Sequence, residues 1–178
     1  HRFLEPGQFH LTLTGNVEAM FDAKPFFQAV REVVDEHPEV GTDLRINFVG
    51  TRAGQYKGWV RDHGLEVHIR FIDYLPHADS IQHLAESDVL FLCQIPEFAS
   101  ASVKLPGKIF EYLYLRKPVL ALTLPGMTSE ILEEANLGTV VEPNDVAAIK
   151  MALINLHQQW RRGRWNKDPD ETFITIGR

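Results

Sequence analysis

The chain has 178 residues, 44% of them hydrophobic and 24% charged, with a formal net charge of -6. This is a soluble globular composition with enough chain for one sizeable core, and its acidity excludes broad, non-specific nucleic-acid binding while leaving room for a local basic pocket. The single cysteine, Cys93, excludes an internal disulfide and fits a reducing, cytoplasmic compartment, and no apolar run approaches membrane-spanning length.

Short β-rich runs alternate with segments of helical period, the pattern of a parallel sheet with crossover helices. The first run, Phe9 to Thr14, precedes a helix opened by Pro25 with Phe26, Phe27, Val30, Val33 and Val34 on one face. Next come a strand over Leu44 to Val49, a weaker helix around Gln55 to His63, and a strand from Val67 to Phe71. A helix following Asp79 and Ser80 carries Ile81, Leu84 and Ala85 and leads to a strand over Val89 to Gln94. A helix at 107–116, a strand over Val119 to Leu124, a helix after Thr128, a strand over Thr139 to Val141 and a last helix capped by Asn144 complete the series. Near-continuous apolar strands and right-handed crossovers predict an α/β fold, a doubly wound, Rossmann-like six-stranded parallel sheet over residues 1–157. Residues 158–178 break the pattern and form a tail outside the sheet.

Ligands of such sheets sit at the carboxyl ends of the strands, which directs attention to the loops there. After the first strand, Gly15 permits a tight turn and close backbone approach, and Asn16 tolerates left-handed geometry; a plain turn and a phosphate-facing loop both fit. The stretch lacks the G-x-G-x-x-G spacing of dinucleotide sites. After the second strand, Arg52 and Lys57 sit among glycines, either a basic ligand loop or a solvated connector. After the third, Tyr74 stands near backbone amides that could meet a planar base, or packs at the rim. The fourth strand is followed by "IPEFASASVKLPGK", long for a βα connection and of the length that functional loops have.

That loop runs into "KLPGKIFEYL". Gly107 and Lys108 stand at a helix start, where unpaired N–H groups and the positive dipole end favour anions. Glu111 lies one turn on, on the same side, and a carboxylate can accept two hydrogen bonds from a vicinal diol. The pair could bridge each other or read the phosphate and ribose of a nucleotide. Two features favour the ligand: the lysine occupies the unfavourable end of the dipole, and Ile109, Phe110, Tyr112, Leu113 and Leu115 predict a largely buried helix.

The stretches "LPGKIFEYLYLRKPVLALTLPG" and "SEILEEANLGTVVEPND" resemble the nucleotide-sugar-binding half of GT-B glycosyltransferases, closest to family 4 enzymes that build bacterial polysaccharides. "TLTGN" and "HLAESDVLFL" are similar to the same family. The resemblance implies a donor-binding domain that handles a nucleoside-diphosphate sugar as substrate, with no separate cofactor. It assigns Glu111 to the donor ribose, Gly107 and Lys108 to the diphosphate, and Gly15 to the phosphates. No metal is implied if the helix start and the lysine stabilise the leaving diphosphate. Val103 stands where many family 4 enzymes carry the first glutamate of an E-x7-E motif, so the retaining outcome inferred from that motif does not carry over; Glu97 lies too far upstream to replace it. The family also implies an N-terminal acceptor domain outside this sequence, so this fragment alone is expected to transfer no sugar. A nucleotide-sugar epimerase of the same architecture and a non-catalytic binding module are the other readings.

The eight histidines show no H-x-x-x-H spacing, and His63/His68 and His77/His83 have no cysteine partners, so no metal site is expected. Cys93 reads as a core thiol. The tail segment "WRRGRWNK" is expected to pack on the N-terminal domain, with peripheral contact at the inner face of the membrane as the other reading.

Overall fold

The computed structural model describes residues 2–15, 22–50, 54–94 and 105–163. The elements run β1 (Phe9–Thr14), α1 (Lys24–Glu36), α2 (Pro38–Asp43), β2 (Leu44–Val49), α3 (Gly54–Asp62), β3 (Ile69–Ile72) and α4 (His77–Glu86). They continue β4 (Val89–Cys93), α5 (Lys108–Leu115), β5 (Val119–Leu122), α6 (Met127–Glu134), β6 (Gly138–Val141) and α7 (Val146–Arg161). All strand pairs are parallel, in the order β3-β2-β1-β4-β5-β6. The chain therefore winds one way from β1 to β3 and the other way from β4 to β6. The reversal falls between β1 and β4, where doubly wound sheets form their ligand crevice.

Strand alternation divides the interior in two. Phe9, Leu11 and Leu13 of β1, with Leu44, Ile46 and Phe48 of β2 and Phe91 of β4, face α1, α3 and α7. There the α1 face predicted from its period is buried, and Phe26 stacks on Phe91 at 4.5 Å between ring centroids. On the other face, Leu90 and Leu92 of β4 and Val119 and Ala121 of β5 meet Leu84 of α4, Ile109 and Tyr112 of α5, and Leu132 of α6. The inward row of β1 on that face is polar: His10, Thr12 and Thr14 are buried. These groups are tied laterally, Asn47 donating to Thr12 at 3.3 Å and Ser87 to Thr12 and to the His83 carbonyl.

The sheet splits at the reversal. β1 pairs with β2 along its whole length, but with β4 only at Leu11↔Val89 and Thr12↔Leu90. Beyond that point the Phe91 carbonyl accepts 2.8 Å from the hydroxyl of Tyr112, which is fully buried. Thr14, at the end of β1, bonds the same hydroxyl from the other side of the split. A side chain of α5 thus takes the place of a missing strand–strand bond.

Several boundaries differ from expectation. α2 was not anticipated; Pro38 occupies the first helical turn, where its missing N–H costs nothing, and Gly41 lets α2 lie against Val34. α4 starts earlier, at His77, directly after Pro76. β3 starts later because Val67 is 62% exposed in a turn closed by His68 N–H to the Leu65 carbonyl. The cap of α7 is Asp145, whose Oδ1 accepts from the Ala148 N–H at 2.9 Å, rather than Asn144. The helix also continues past residue 157 to Arg161, and Trp160 packs on Phe9 at 5.5 Å, so the described start of the tail belongs to this domain. Residues 164–178, which hold the second half of the basic-aromatic segment, lie outside the described residues. Within the described residues, no helix is long and apolar enough to cross a membrane.

α7 is stapled to α2 by Asp43, buried, which accepts 2.7 Å from His157 Nε2 and pairs with Arg161 at 2.7 Å. Asp43→Ala should lower unfolding free energy by about 3 kcal/mol, since His157 keeps a buried donor with no acceptor. Removing Asp35, whose pair with Arg31 is on the surface, should cost under about 1 kcal/mol. Tyr112→Phe should cost about 1–3 kcal/mol by removing the buried hydroxyl's bond to the Phe91 carbonyl. Urea denaturation at constant m-value measures all three.

Candidate functional site

The carboxyl edge is where the predicted site residues are to be found. At the end of β1, Gly15 has φ +113 and donates its N–H to the Val49 carbonyl at 2.7 Å. Gly50, at the end of β2, has φ +83, and a Cβ placed there would lie 3.7 Å from the Gly15 nitrogen. Two glycines in a conformation that side chains resist therefore line the β1 side of the split. Across it, β4 ends at Cys93, and Gln94 meets Thr123 of the β5 end at 3.1 Å.

α5 brings the charged groups. Tyr112 fixes the helix over the split; Lys108 stands one turn nearer its N-terminus on the same side, and Glu111 directly precedes Tyr112, one turn on from Lys108. No side chain caps the helix start. Gly107 has ordinary right-handed backbone angles, and a Cβ there would meet nothing within 4 Å. Its glycine is therefore not required by the fold. Burial pushes the Lys108 ammonium down to about 8, opposed by Cys93 and by the negative charge of Glu111. Burial likewise drives the Cys93 thiol well above its usual value, which leaves it neutral. Tyr112, raised chiefly by burial, stays a neutral donor.

The expectation of a largely buried helix is corrected. Ile109 and Tyr112 are buried, but Phe110 is 64% and Tyr114 85% exposed, so α5 shows an aromatic outer face. Glu111 is correspondingly partly exposed, and His77 Nε2 lies 4.0 Å from its Oε1. His77 is the residue that sequence reading missed: it was grouped with the surface histidines, although its place after a Pro at a helix start was a usable signal. Tyr74, in the same connection, is 83% exposed and has no described contact with Lys108 or Glu111. Asn16, Arg52, Glu97 and Val103 lie outside the described residues.

The other described histidines have partners within the fold. His10 reaches the Glu5 carbonyl, His37 meets Glu39, His63 stacks on Trp59, His68 meets the Leu44 carbonyl, His83 stacks on Phe3 and His157 meets Asp43. Among the described residues, no group of three or more His, Cys, Asp or Glu converges as a metal site would require.

The arrangement offers an anion site beside a carboxylate, at the switch point of a doubly wound sheet. No curated protein matches the chain by sequence. Among solved structures, the C-terminal domain of LpcC, a glycosyl transferase group 1 family protein from Francisella tularensis, aligns with TM-score 0.64 and 20% identity, over 88% of this chain and 78% of that one. The pneumococcal O-GlcNAc transferase GtfA, in complex with UDP and GlcNAc, aligns with TM-score 0.63 and 17% identity over 88% of this chain and 30% of that one. A putative UDP-N-acetylglucosamine 2-epimerase from Listeria monocytogenes aligns with TM-score 0.59 and 17% identity over 88% of this chain and 40% of that one. At these identities the likeness is one of fold, that of a GT-B C-terminal domain, and the chain spans well under half the length of the latter two. The sequence profile described as glycosyl transferases group 1 matches residues 8–159, and the chain belongs to that family.

Proposed function

We propose that this domain binds the nucleoside-diphosphate sugar of a glycosyltransferase and stabilises the departing diphosphate. The observation that carries the reading is the start of α5 at the sheet reversal, where the N-cap is a glycine and a buried lysine and a carboxylate stand one turn apart. In this reading the Gly107–Lys108 amides and the Lys108 ammonium meet the diphosphate, where negative charge grows as the sugar–phosphate bond breaks. Gly107 admits a close approach that a Cβ would obstruct. Glu111 accepts from the ribose diol, and Gly15 lets a phosphate oxygen near the end of β1. The acceptor, a glycan or a lipid-linked saccharide, comes to the open side of this edge, held by a further domain. We place the reaction in the cytoplasm, with any membrane contact peripheral. The epimerase reading shares the fold and the nucleotide; the family match over residues 8–159 favours transfer.

Calorimetry or ligand-observed NMR with a panel of nucleoside diphosphates tests the reading. Glu111→Ala should weaken the best ligand about ten- to hundredfold, the loss of about 1.5–3 kcal/mol from charge-assisted hydrogen bonds, without altering the melting temperature. Unchanged binding in that variant would remove the ribose assignment.

The lysine gives a pH signature. Diphosphate binding needs the ammonium, so affinity should fall as pH rises past about 8. The ligand's own charge is constant there because its last ionisation is complete, its pKa lying near ~6. Stability moves the opposite way. The native lysine loses its proton before the unfolded one, so between about 8 and the ordinary lysine value the unfolded chain binds more protons and unfolding free energy rises with pH. Lys108→Met should remove both dependences, as read by titrations and thermal melts at stepped pH.

A further inference from the structure

Among the described residues, the His77 side chain meets only Glu111. It is 78% exposed and opens α4. What it faces is the partly exposed Glu111 carboxylate, 4.0 Å from Nε2, across the gap between α4 and α5. Lys108, on the helix of Glu111, approaches the same carboxylate along α5. Asp79 is the acidic residue in the first turn of α4.

A carboxylate that is to accept from two adjacent hydroxyls must present both lone-pair edges in one rotamer. Glu111 is long, and with 34% of its side chain exposed it has several rotamers to choose from. An imidazole donor on a second helix selects one of them. Resting on the ribose assignment of Glu111 above, we infer that His77 is a positioning residue for nucleotide recognition: Nε2 holds one edge of the Glu111 carboxylate and turns the other toward the ribose hydroxyls. At 4.0 Å the ligand-free contact is an ion-pair distance, and a rotation of the exposed ring shortens it to a hydrogen bond when the nucleotide settles. The reversal of the sheet makes this possible, since the crossover from β3 to β4 carries the start of α4 to the flank of α5.

The experiment uses uridine diphosphate and its 2′,3′-dideoxy analogue as probes, titrated against the 178-residue chain and its His77→Ala and His77→Gln variants by ligand-observed NMR. Exposure of His77 means both variants should melt like the parent. The inference predicts that His77→Ala weakens uridine diphosphate about three- to fivefold, as an exposed charge contact warrants, and leaves the dideoxy analogue unchanged. His77→Gln, whose amide nitrogen replaces Nε2, should recover the parent affinity. Equal loss for both ligands, or no loss for either, overturns the positioning role while the ribose assignment stands. If the parent chain itself binds both ligands equally, the ribose assignment fails and the inference falls with it.

Discussion

The hydrogen bond from the Tyr112 hydroxyl to the Phe91 carbonyl is the contact on which the site depends. A doubly wound sheet must part where its winding reverses, and here β1 and β4 stop pairing after Thr12 and Leu90. Parting strands leave backbone carbonyls without partners in the interior, which is costly. Tyr112 supplies the partner from α5, reaching both β4 and the Thr14 end of β1. One side chain therefore closes the base of the crevice and sets the rotation of the helix above it. With Tyr112 pointing down, helical geometry leaves Lys108 and Glu111 overhanging the opening.

The electrostatics of the edge follow. Burial weakens the hold of Lys108 on its proton, Glu111 and Cys93 only partly offset this, and the helix dipole adds positive potential at the same place. Glycines at 15, 50 and 107 remove side chains around it. At 15 and 50 the backbone demands glycine; at 107 it does not, and the open space over the helix start is better explained by what approaches than by what packs. Charge and bare backbone both fit an anion carried by a larger molecule.

Much of this was legible in the sequence. The strands β1 and β2 have the bounds predicted for them, although polar residues alternate with apolar ones along both. The helix with Lys108 and Glu111 was readable from spacing and from family likeness. Less legible was anything set by tertiary contact. α2 was not anticipated, and its helix exists because Val40 finds a pocket beside α1. Phe110 looked like a core residue, yet α5 buries only the stripe that meets the sheet. His77 and Glu111 are far apart in sequence, and no local pattern joins them; the β3-to-β4 crossover does.

The central claim is that a nucleoside diphosphate sits over the split between β1 and β4, held by the start of α5. Amide chemical-shift mapping of the isotope-labelled chain during titration with uridine diphosphate tests it most directly. The account predicts the largest shifts at Gly15, Gly50 and residues 107–111, with little change along β3, β6 or α7. Shifts concentrated on α7 or the amino edge of the sheet, with the α5 start unmoved, would contradict it.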